Sequence, residues 1–118
     1  MSKFLVIIFV ISLFSAEGMA REVYYAKISE NDKYNSYGDR LRSVADILRQ
    51  DRANYHRFFI RDREDSGDRF FGYKRNRARM ASMLRNGYIS RTTRNAILYR
   101  NPVVRVVVYD YRIEVELD

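Results

Sequence analysis

The sequence predicts an α+β fold: two main helices plus a short third helix packed on a small antiparallel sheet with a C-terminal β-hairpin. Three observations carry this expectation. Apolar residues recur at helical spacing through residues 39–59 and again through 70–85. The valine-rich run Val103 to Val108 is followed by the alternating Ile113-Glu114-Val115-Glu116-Leu117, the pattern of two paired strands. Glu22 to Ser29, rich in β-branched and aromatic residues, reads as a further short strand.

The first twenty residues stand apart. Lys3 precedes an apolar run from Phe4 to Phe14, and Gly18-Met19-Ala20 places small residues at −3 and −1 of a cleavage site before Arg21. These are the parts of a secretory signal peptide, and the run is shorter than the ~20 residues a membrane-spanning helix needs. The reading is therefore a signal peptide at 1–20 and a single small domain at 21–118, secreted or periplasmic after cleavage. The chain has no cysteine, which excludes disulfide staples, thiolate ligands and thiol chemistry. The short signal and the lack of cysteines lean towards a bacterial envelope.

Each element has its own signals. Residues 30–38 are turn-forming and polar. Asp39 is the expected N-cap of the first helix, running to about Phe59. Leu41, Val44, Ala45, Ile47, Leu48, Tyr55, Phe58 and Phe59 fall on one side when residues are set ~100° apart, and Asp51 and Arg52 lie inside that apolar sector. Arg61 to Asp68 is a charged loop, with Asp68 as the next cap. The second helix covers Phe70 to Arg85, with Phe70, Tyr73, Met80, Ala81 and Leu84 on one face and Arg77 in its middle. Gly72 weakens its first turn. Asn86-Gly87 ends it in a Schellman-type stop with Tyr88 and Ile89 behind. Ser90 caps the third helix, Arg91 to Tyr99, which Asn101-Pro102 stops. In the hairpin, a turn at Tyr109-Asp110 would pair Val108 with Tyr111, Val106 with Ile113, Val104 with Val115 and Arg105 with Glu114. A longer loop of the same parity keeps the same faces.

The net charge of +7 is unevenly placed: residues 69–112 hold eleven Lys or Arg and one acid, Asp110. Arg outnumbers Lys eighteen to four, and Arg suits bidentate contact with phosphate or carboxylate and stacking on rings. The candidate anion-binding residues are Arg75, Arg79, Arg85, Arg91, Arg94 and Arg100 with Tyr88. Asp51 and Arg77 are the expected interhelical ion pair, since unpaired burial of either would be costly. His56, the only histidine, borders the apolar face of the first helix, with Asp51, Tyr55 or Arg52 as conceivable partners. It reads first as a helix-flank side chain and second as an acid–base group. Asp62, Glu64, Asp65 and Asp68 fail the calcium-loop pattern, because Tyr73 takes the place of the bidentate Glu; local surface salt bridging with the intervening Arg residues is expected instead. No metal site and no cofactor are expected.

The leading functional expectation is a non-catalytic secreted or periplasmic binding protein. Its Arg- and Tyr-rich surface would engage an anionic macromolecule: an acidic protein, a surface polymer or nucleic acid. A secreted inhibitor or immunity protein falls in this class. Two alternatives stand beside it. One is a small secreted hydrolase, such as a nuclease, using His56. The other is an envelope component that becomes a homo-oligomer through the 103–117 hairpin, whose first strand carries Val103, Val107 and Tyr109 on its outer face.

Overall fold

The computed structural model describes residues 18–118, so all of the expected signal segment but its last three residues lies outside them. Alternation in the valine-rich run produces β3 (Val103–Val108), flanked by β1 (Glu22–Lys27) and β4 (Ile113–Leu117), both antiparallel to it. A two-residue β2 (Tyr88–Ile89) adds parallel to β4, giving the order β1-β3-β4-β2. The sheet is thus mixed rather than purely antiparallel. The α+β class and the C-terminal hairpin are as expected.

Tyr24, Ala26 and Ile28 point inward together with Val104, Val106, Val108, Ile113 and Val115. Against this face pack α1 (Val44–Ala53), α3 (Met80–Asn86) and α4 (Arg91–Tyr99), through Val44, Ile47, Leu48, Met83, Leu84 and Ile97. Full burial of each aliphatic side chain contributes about 1.5–3 kcal/mol. Among the described residues, no helix is long and apolar enough to cross a membrane.

The hairpin register differs from the expected one by two residues. Val108 pairs with Ile113, Val106 with Val115 and Arg105 with Glu116, across a four-residue loop closed by Tyr109 N–H donating to the Arg112 carbonyl at 2.9 Å. Because the shift is even, the inward face is unchanged. Arg105 meets Glu116 at 2.8 Å instead of Glu114.

Two helix boundaries also move. Asp39 does not cap α1. Residues 34–40 fold on themselves: Asn35 Oδ1 accepts from the N–H groups of Tyr37 and Asp39, both at 2.9 Å, and Tyr34 bridges to Arg40. Ser43 is the cap, accepting from Asp46 N–H at 3.1 Å. The 70–85 segment is broken into a 3-10 turn (Phe70–Gly72), α2 (Lys74–Arg77) and α3. Its pieces have separate anchors: Arg77 Nη1 donates to the Phe71 carbonyl, whereas Arg79 Nη2 donates to the Asp110 carbonyl. As a result Tyr73, expected on the core face, is exposed. Ser90 caps α4 as the sequence indicated, accepting from Thr93 N–H at 3.1 Å.

Gly87 ends α3 without a left-handed turn. A Cβ there would lie 1.7 Å from the Ile113 carbonyl oxygen, so close approach of β4, not a Schellman conformation, demands glycine. The loop after α1 runs along the open side of β1: Tyr25 N–H donates to Ser66 Oγ (2.8 Å), Ser66 N–H to the Tyr25 carbonyl (2.9 Å) and Lys27 N–H to Asp65 Oδ1 (2.7 Å). This lacing brings Asp68 under the end of α1.

Candidate functional site

The site begins with how α1 ends. Asn54 is buried because its side chain is fully employed. Its Nδ2 donates to Asp32 Oδ1 (2.9 Å) and its Oδ1 accepts from Gln50 Nε2 (2.9 Å). From Asn54 to Phe58 the chain widens into one π turn, and the N–H groups of Phe59 and Ile60 both reach the Asn54 carbonyl. The extra residue breaks the 3.6-residue period. Phe58 and Phe59, which the period assigned to the core face, are therefore exposed, and Phe59 closes the turn in the left-handed region at φ 56°.

The π turn aims His56 at Asp68, with Nε2 2.8 Å from Oδ1. The Asp68 side chain is wholly buried. Its Oδ1 also accepts from Arg52 Nη1 (2.9 Å), and its Oδ2 accepts from Phe71 N–H (2.7 Å) at the head of the 3-10 turn, where the sequence indicated the cap of a longer helix. A carboxylate only accepts, so Nε2 carries the shared hydrogen and the neutral ring keeps its lone pair on Nδ1. Nδ1 faces Gly72, where a Cβ would sit 3.7 Å from it. The absence of a side chain at Gly72 leaves the approach to Nδ1 open.

That approach is a cleft of about 420 Å³ lined by His56, Arg57, Gly72, Lys74 and Arg77. A neighbouring cleft of about 350 Å³ shares Arg57, Lys74 and Arg77 and adds Arg49, Phe58 and one acid, Asp46. Arg77 is buried, with 6% of its surface exposed, and donates only from Nη1, to the carbonyls of Phe71 (3.0 Å) and Gly72 (3.2 Å). Among the described residues no acceptor takes its other N–H groups. Burial, and after it the charges of Arg57 and Arg49, push the Arg77 guanidinium below its ordinary range, with Asp68 pulling it back. A larger cleft of about 600 Å³ near Arg79 offers less to a ligand. There Arg79 is held by the Asp110 carbonyl, Arg21 pairs with Asp110 at 3.0 Å, and Glu22 contributes negative charge.

The expected Asp51–Arg77 pair does not form. Asp51 is 2% exposed and pairs with its neighbour Arg52, Oδ2 to Nε at 2.8 Å. Burial pushes the Asp51 carboxyl up, and Arg52 opposes this. Both carboxylates hold the Arg52 guanidinium protonated. The acidic loop does not salt-bridge at the surface as expected: Asp65 accepts backbone N–H groups of Lys27 and Asp62, and Asp68 is internal.

The sequence-derived anion set lies outside this cleft. Arg75, Arg85, Arg91, Arg94 and Arg100 are exposed, Tyr88 is 65% exposed on β2, and neither they nor Arg79 line the His56 cleft. The cleft cations Arg49 and Arg57 were missed because 39–68 balances its charges. Their signal was spacing: eight residues apart, with His56 beside Arg57, they recur along one side of α1 and its π turn. Among the described residues, no three His, Asp or Glu side chains gather as metal ligands. No family model, curated protein or solved structure matches the chain.

Proposed function

We propose that this is a secreted or periplasmic protein that binds an anionic partner through phosphate groups at the cleft in front of His56. One observation carries the reading: Arg77 is buried among Arg49, Arg57 and Lys74 with donors left free. The exposed Arg49, Arg57 and Lys74 add to the cost of the buried Arg77 charge, and a bound anion lowers that cost while taking the free N–H groups. Arg geometry favours the planar oxygen edges of a phosphate. The other cations of 69–112 then serve as a steering field, raising encounter rates in a salt-dependent way.

Calorimetric titration with inorganic pyrophosphate tests this at low and moderate salt. The wild type is expected to bind, with affinity falling as salt rises. Arg77→Met, and the exposed-site double variant Arg57→Ala with Lys74→Ala, should each lose about tenfold or more, consistent with charge-assisted hydrogen bonds. Arg91→Ala with Arg94→Ala should stay within about twofold. Equal affinity in all four proteins would overturn the placement of the site. The Arg57/Lys74 variant keeps the test sound if Arg77→Met fails to fold.

A further inference from the structure

We infer that the anionic partner is single-stranded RNA and that the cleft cleaves it, with His56 as the base that activates the RNA's own 2′-hydroxyl. The inference rests on the anion-binding reading and goes further, because the cleft holds more than cations. His56 Nδ1 is accessible, unbonded within the described residues, and held in orientation through Nε2 by a buried carboxylate that Arg52 anchors. A base, its orienting partner and a set of phosphate-directed cations within one cleft form the minimum set for general-base catalysis at phosphorus.

The residues lining the cleft include no hydroxyl, thiol or carboxylate to attack phosphorus. RNA brings its own attacking oxygen beside every phosphate. Phe58, 41% exposed, lines the neighbouring cleft that shares Arg57, Lys74 and Arg77, and Phe59 is 72% exposed next to it. Aromatic faces beside a cationic groove stack unpaired bases, which a duplex does not present.

In the step, His56 Nδ1 takes the proton of the 2′-hydroxyl as O2′ bonds to phosphorus. The P–O5′ bond breaks, and the departing O5′ takes a proton from the Lys74 ammonium; solvent then reprotonates Lys74 and takes from His56 the proton it removed. The products are a 2′,3′-cyclic phosphate and a 5′-hydroxyl end, with no oxidant, reductant or water consumed. Arg77 and Arg57 face the charge that builds on the phosphoryl oxygens.

The test compares a fluorescent single-stranded RNA with its all-2′-deoxy counterpart, in chelator, following both binding and cleavage. The wild type is expected to bind both and to cut only the RNA, leaving cyclic phosphate ends. His56→Ala should cut ~10²–10⁴-fold more slowly while binding within about threefold of wild type. Gly72→Val leaves the His56–Asp68 bond in place and covers Nδ1, so it should also lose cleavage; it keeps the test decisive if His56→Ala unfolds. Binding without cleavage by the wild type would overturn the catalytic inference and leave the anion site standing. Failure to bind either strand would remove both. Cleavage of the deoxy strand, or undiminished cleavage by His56→Ala, would overturn the proposed step.

Discussion

Arg52 shows what a single buried charge demands. Its guanidinium lies 4.0 Å from the centre of the Tyr24 ring and 4.7 Å from that of Tyr55, and it bonds Asp51, Asp68 and the Ser66 carbonyl. No shorter or more compact cation spans these partners. Arg52→Met should leave two buried carboxylates without their cation and cost about 3–5 kcal/mol, measured by urea denaturation; a loss below ~1 kcal/mol would show the network to be dispensable. At this scale much was legible. Helical spacing placed Asp51, Arg52 and Arg77 inside apolar faces, and all three are buried. Their partners were not legible. Adjacent residues on a helix point ~100° apart, so pairing Asp51 with Arg52 looks excluded until the long Arg side chain folds back. Asp68 arrives from a loop, where no period announces it. His56 carried no stronger signal than its residue type, since its orientation depends on that same aspartate.

Among the elements, the end of α1 is the least regular and the most consequential. The π turn makes room for Asn54 to bond Asp32 and turns His56 toward Asp68. It ends on Phe59, a bulky residue in a backbone region that glycine adopts freely. Phe59→Gly should therefore stabilise the fold by about 0.5–1 kcal/mol, the relief of left-handed strain less the added freedom of the unfolded chain. Thermal melting checks this; a destabilised variant would mean that Phe59 packs more than its 72% exposure implies. The sequence read α4 nearly residue for residue because Ser90 and Pro102 bracket it. It overran α1 and merged α2 with α3 because apolar spacing survives a π turn and a broken helix, whereas the hydrogen bonds that define them leave no such trace.

For the molecule as a whole, the sheet order decides which surfaces are open. β3 lies between β1 and β4, so the strand with apolar residues on both faces has no free edge for a second copy. The sheet's two edges belong to β1 and to the two-residue β2, and along β1 Asp65 and Ser66 cover two N–H groups. Replacing both with Ala should uncover that edge and produce concentration-dependent association in sedimentation velocity; a monomer at high concentration would show that other features protect it. Neither the order nor the covering loop was legible, since a two-residue parallel strand and side chain-to-backbone lacing have no sequence period. The same order also governs time. β1 pairs Glu22 with Val108 and Lys27 with Val103, so the first strand to leave the ribosome waits for nearly the last. Until then its inward residues, Tyr24, Ala26 and Ile28, have no sheet to join. Such distant pairings slow folding relative to a helical bundle of the same size. The sheet therefore cannot be completed until β3 has been made, and β1 spends most of the chain's synthesis without a partner.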